Sequence, residues 1–124
     1  MATGTPPKPL IWMGSSKKDL GALPSSVVDT FGYALYVAQT GKRHEQTKIL
    51  RGFGDAGVIE VVESANRSTY RAVYTVRFDD AVYVLHVFQK KSKSGVATPK
   101  PDMDLIEERL KQATDWSRKS GATN

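Results

Sequence analysis

Three side chains close together in this sequence, Arg71, His86 and Lys90, could do phosphate chemistry between them. Histidine is the natural proton carrier near neutral pH. Arginine can grip a phosphate through two parallel hydrogen bonds and stabilise charge that builds on it, and lysine adds a point charge. Arg, His and Lys together, without a metal, suit cleavage of RNA through its own 2′-OH. A lone histidine in an apolar strand is ordinarily a satisfied core residue, so the case rests on whether the three share a face.

The elements that must position them read as a hairpin. In residues 70–78 the even positions (Tyr70, Ala72, Tyr74, Val76, Phe78) are apolar or aromatic, and the odd ones include Arg71, Thr75 and Arg77. This is the period-2 alternation of a strand with one buried face. A two-residue turn at Asp79-Asp80 predicts the pairs Phe78/Ala81, Tyr74/Leu85, Val73/His86 and Arg71/Phe88. It joins Tyr70, Ala72, Tyr74, Val76 and Phe78 to Ala81, Tyr83, Leu85 and Val87 on the helix-covered face. The opposite face collects Arg71, Val73, Thr75, Arg77, Val82, Val84, His86, Phe88 and Lys90, with His86 and Lys90 diagonal to Arg71. The run Lys90-Lys91-Ser92-Lys93 continues that face into a flexible basic loop, placed for contact with a nucleic-acid backbone.

Residues 1–9 read as a flexible leader and residues 121–124 as a flexible tail, around one domain over 10–120. Residues 10–13 suit a short strand, and residues 17–20 a helical turn ended by Gly21. Pro24 is preorganised for a first helical position, and Val27, Val28, Phe31, Ala34, Leu35 and Ala38 form an amphipathic stripe up to Gly41. Residues 41–57 read as a polar connection and residues 58–63 as a strand. Thr98 or Asp102 caps a last helix, whose stripe is Met103, Ile106, Leu110, Ala113 and Trp116 or Ser117, with Glu107, Glu108, Arg109 and Lys111 facing water. The expected fold is α+β: a small antiparallel sheet with N-terminal helices on one face and a C-terminal helix.

The totals set limits. A chain of 124 residues suits one domain. It has no cysteine, which removes disulfides, thiol catalysis and thiolate metal sites and fits a reducing, cytoplasmic compartment. Only His44 and His86 could serve as imidazole ligands, in separate segments, so neither a metal nor another cofactor is expected. No apolar run is long enough to span a membrane. The net charge of +5 points to an anionic partner, and it is concentrated. Residues 42–52 hold Lys42, Arg43, Lys48 and Arg51 against Glu45, and residues 67–100 hold seven Lys/Arg against Asp79 and Asp80. No P-loop, dinucleotide fingerprint or nucleophile elbow is present.

Four segments together resemble a family: KILRGFG (48–54), GVIEVVE (57–63), TYRAVYTVRF (69–78) and VLHVFQKKSKSGVATPK (84–100). They are similar to the RelE/HigB-type toxins of bacterial type II toxin–antitoxin modules, in the branch described as phage-derived. The resemblance spans most of residues 9–119. It implies a RelE-like fold and a metal-independent mRNA endonuclease acting by 2′-OH attack, in many members at the ribosomal A site. It further implies a cognate helix-turn-helix antitoxin, with operator DNA bound only through that antitoxin. By position, Lys48, Arg71, His86, Lys90 and Lys91 fall where relatives place basic functional residues. Glu60 matches an acidic strand position that is a base in some members. Arg71 would then stabilise the phosphate, His86 or Glu60 would move protons, and Lys48, Arg51, Arg67, Arg77, Lys91 and Lys93 would bind RNA. Val62 departs from the pattern, since many members have arginine there. Two other readings are a ParE-like toxin that binds DNA gyrase and a non-catalytic phage-derived binding protein.

Overall fold

The alternating segments do form strands, and the second of them, at nine residues, is the longest among the described residues. The computed structural model describes residues 6–54, 57–90 and 98–121. In order these form β1 (Leu10–Trp12), α1 (Ser16–Gly21), α2 (Ser25–Gln39), β2 (Thr47–Ile49), β3 (Val58–Ala65), β4 (Ser68–Thr75), β5 (Val82–Lys90) and α3 (Lys100–Gly121). The strands make one sheet in the order β1-β5-β4-β3-β2. It is antiparallel except for β1, which runs parallel to β5 with Leu10 opposite Val82. No helix among the described residues is long and apolar enough to cross a membrane.

The hairpin register matches the expected one over half its length. Val73 pairs with His86 and Arg71 with Phe88, but Tyr74 pairs with Val84 and Thr75 with Tyr83. Leu85 is the extra residue, a β-bulge that turns Leu85 and His86 toward the same side. The expected Tyr74/Leu85 pair and the two-residue turn are therefore corrected; residues 76–81 form the connection. The bulge also swaps faces. Val82 and Val84 join Tyr70, Ala72 and Tyr74 beneath α2, whereas Ala81, Tyr83 and Leu85 pack with Val73 on the other side.

Both faces of the sheet are covered. Val27, Phe31, Ala34, Leu35 and Ala38 of α2 bury one, as the helical stripe requires. Ile106, Leu110 and Ala113 of α3 bury Val58, Val73, Tyr83 and Leu85 on the other. Arg109 is not a water-facing residue: it is buried, and its Nη1 donates 3.0 Å to the carbonyl of Leu85, the residue at the bulge. A carbonyl displaced from the ladder needs such a donor. The guanidinium lies over Gly14 (φ +53°), where an added Cβ would come within 2.6 Å of it.

Helix ends differ by a residue or two from expectation. Pro24 precedes α2 with ψ 146°, and its carbonyl accepts from Val27 and Val28. α3 begins at Lys100, so Thr98 lies outside it and Asp102 sits in its first turn. Ser117, not the exposed Trp116, contacts the body, donating 2.9 Å to Asp80. Lys8, expected in the leader, is tied down by two hydrogen bonds with Gln39.

Candidate active site

The site is assembled across neighbouring strands. In the middle of the sheet, Lys48 of β2, Glu60 of β3, Val73 of β4 and His86 of β5 stand opposite one another in one row. Paired residues share a face, so these four all point toward α3. Arg71 lies one pair further along the same face, beside Val62 and Phe88, and Lys90 one pair beyond that, opposite Thr69.

Glu60 is at the centre. It is only 1% exposed, and its two oxygens have different partners. Oε2 accepts from Arg71 Nη1 at 2.9 Å, and Oε1 faces Lys48 Nζ at 3.4 Å. A buried carboxylate requires such pairing, because an isolated ionised one is costly to desolvate. Arg71 is itself buried, whereas the Lys48 side chain is 54% exposed. Lys90 is buried too, and its pKa is held below the usual lysine value. Burial is the main cause; the charges of Arg71 and Lys48 add to it, and Glu60 opposes them. Three positive charges against one negative leave the cluster with a net charge of +2, suited to an anion.

Beside it lies a cavity of about 860 Å³, lined by Lys48, Ile49, Leu50, Arg51, Glu60, Thr98 and Met103. The strand β2 and the start of α3 form its walls. Lys48 and Arg51 make part of the lining basic, and Ile49, Leu50 and Met103 make part of it apolar, which suits a phosphate carrying an aromatic body.

His86 shares the face but not the cluster. Its Nε2 lies 2.8 Å from Asp102 Oδ1, and its ring stacks on Phe88 with centroids 4.5 Å apart. The carboxylate accepts, so Nε2 carries the hydrogen, and Nδ1 is buried with no partner among the described residues. Burial lowers the pKa of this ring and Arg109 lowers it further, against the pull of Asp102 and Asp19. The result is a neutral imidazole that fastens the first turn of α3 to β5.

The remaining candidates scatter. Arg51 lines the cavity. Arg67 sits exposed in the β3–β4 turn (φ +66°), just beyond the Thr69/Lys90 pair. Arg77 lies past the other end of β4, where its Nη2 donates 2.7 Å to the carbonyl of Phe53. Lys91 and Lys93 lie outside the described residues. Sequence reasoning missed Asp102 as the partner of His86, and Ile49 and Met103 as walls of the cavity. Nothing local marks them, because Asp102 and His86 meet only when α3 folds back. Among the described residues no three His, Cys, Asp or Glu side chains group as a metal site.

A family model described as "Phage derived protein Gp49-like (DUF891)" matches residues 18–111, a span that holds Lys48, Glu60, Arg71, His86 and Lys90. No curated protein matches the chain. Among solved structures, a chain of the toxin–antitoxin complex RelBE2 from Mycobacterium tuberculosis is similar at 24% identity and a TM-score of 0.44, covering 69% of this chain and 94% of that one.

Proposed function

The chain belongs to the phage-derived Gp49-like family, and from that premise we propose that it is the toxin of a type II toxin–antitoxin module, an endoribonuclease that cleaves mRNA without a metal. The observation that carries the reading is Glu60: a buried carboxylate held between Arg71 at 2.9 Å and Lys48 at 3.4 Å on the wall of a large basic cavity.

In this reading Glu60 takes the proton of a 2′-OH, whose oxygen attacks the adjacent phosphorus. The new O2′–P bond forms as the P–O5′ bond breaks. Arg71 and Lys48 neutralise charge that gathers on the non-bridging oxygens. Lys90, whose lowered pKa makes its ammonium a better acid, gives a proton to the departing O5′. The products are a 2′,3′-cyclic phosphate and a 5′-OH. His86 does not move protons here; it holds α3, and with it Met103, against the cavity. A cognate antitoxin silences the enzyme, and the ribosomal A site presents the message.

The test uses purified protein and a short synthetic RNA, free or bound to programmed ribosomes. Cleavage is expected to stop when the nucleotide 5′ to the break carries a 2′-deoxyribose. Cleavage that continues on the 2′-deoxy substrate would remove 2′-OH attack from the mechanism. Cleavage only with ribosomes present would assign the substrate to the A site.

A further inference from the structure

On the other face of the sheet, a second basic cavity lies where the family reading assigns nothing. Ile59 and Tyr74 are a directly paired couple pointing toward α2, so the sheet separates them from Glu60 and Val73. The cavity, about 310 Å³, is lined by Lys8, Ala38, Gly41, Lys42, Arg43, Ile59, Tyr74 and Val76.

Its wall includes an unmet donor. The Tyr74 ring is wholly buried, and its hydroxyl has no hydrogen-bond partner among the described residues. A buried hydroxyl left unpaired is unfavourable by more than a typical hydrogen bond contributes, so such groups are rare without a role. Burial pushes the Tyr74 pKa up to about 12, and Arg43 lies near enough for its charge to pull the other way. The lining holds three cations, Lys8, Lys42 and Arg43, and no carboxylate, and none of their side chains has an ion pair or hydrogen bond among the described residues.

The backbone that carries Lys8 and Lys42 is fixed. Gly41, at φ +87°, turns the chain at the end of α2, and the N–H groups of Gly41 and Lys42 cap the carbonyls of Ala38 and Val37. Lys8 N–H donates to Gln39 O at 2.9 Å, and Gln39 Nε2 donates back to Lys8 O at 2.6 Å. These two backbone positions are therefore set beside the cavity before any ligand arrives, which lowers part of the ordering cost of binding.

We propose that this cavity binds a phosphomonoester of mononucleotide size. The Tyr74 hydroxyl donates to a phosphate oxygen, and Lys8, Lys42 and Arg43 neutralise the dianion. Ala38, Ile59 and Val76 form the apolar wall for the nucleoside. Three uncompensated positive charges suit a dianion better than a single carboxylate, and the volume lies near the lower end for small-molecule sites. This site stands independently of the RNA-cleaving reading.

Titration calorimetry on the full chain tests it, with adenosine 5′-monophosphate, inorganic phosphate, adenosine and a 5′-phosphorylated oligonucleotide as probes. The monophosphate is expected to bind saturably and adenosine not at all. Tyr74→Phe and the double variant Lys42→Gln/Arg43→Gln are each expected to weaken binding about tenfold or more. Tyr74→Phe is expected to do so with no fall in the melting temperature of the free protein, a combination that a purely structural hydroxyl would not give. Lys48→Gln, on the opposite face, should leave the affinity unchanged. The proposal is overturned if the monophosphate fails to bind or if only the oligonucleotide binds. It also fails if adenosine binds equally well, if both variant forms bind as tightly as the parent, or if Lys48→Gln abolishes binding.

Discussion

At the scale of single residues, Lys48 separates function from folding better than Arg71 or Glu60 does. Arg71 and Glu60 form a buried pair at 2.9 Å, and removing one partner of such a pair typically costs about 3–5 kcal/mol. Arg71→Ala is thus expected to lose both stability and activity, which denaturant melts alongside a cleavage assay would record. Lys48 is the cleaner probe, because its side chain is 54% exposed and an exposed pair contributes only about 0–1 kcal/mol. Lys48→Gln is expected to lower RNA cleavage about tenfold while leaving the melting curve nearly in place. His86 makes a different prediction. Its folded pKa lies below the ordinary histidine value of 6.5, so the unfolded chain binds more protons as the pH falls through that value. Stability should then drop on acidification below about 6.5 and recover above it. Equilibrium melts between neutral and mildly acidic pH should show this slope, and His86→Gln should flatten it. A slope unchanged in that variant would assign the acid sensitivity to another group.

Among the elements, the β4–β5 hairpin was the most legible, and its failure is instructive. Alternation identified both strands and placed Val73 opposite His86 and Arg71 opposite Phe88, as observed. It did not reveal the bulge at Leu85, because a bulge breaks the period by one residue in a run where nearly every residue is apolar. The signal that fixes it, Arg109 donating to the Leu85 carbonyl, comes from α3, 24 residues away. The strand β2 was missed for the opposite reason: Thr47–Ile49 is short and partly exposed at a sheet edge, where a lysine is common. In the β3–β4 turn, Asn66 and Arg67 both have positive φ, 53° and 66°, the geometry that favours Asn-Gly. Arg67→Gly is therefore expected to stabilise the fold by about 1 kcal/mol, seen as a higher melting temperature. If cleavage stays unchanged in that variant, Arg67 leaves the set of RNA contacts. Gly14→Ala should do the reverse, because its Cβ would strike the Arg109 guanidinium at 2.6 Å.

For the whole molecule, the α+β architecture and the order of helices were readable from patterning, but the two-sided covering of the sheet was only half visible. The opposite face looked free because Arg71, His86 and Lys90 marked it as polar. In the fold, α3 covers that face around Ile106 and Leu110, and the polar residues are confined to its margin. The cavity forms at this margin, between β2 and the start of α3, and could not be read from either element alone. The candidate site was thus legible as a set of charges, with Lys48, Glu60, Arg71 and Lys90 brought together, while the grouping of His86 with Asp102 depended on tertiary contact. This cluster is proposed to cut RNA. The measurement that tests it most directly is mapping of RNA 5′ ends in cells after brief induction, with parent and Lys48→Gln proteins compared. New 5′-OH ends within messages, about tenfold fewer in the variant, are the expected result. Growth arrest by the parent protein with no new RNA ends, and with signs of DNA damage instead, would contradict it and point to a gyrase-directed toxin.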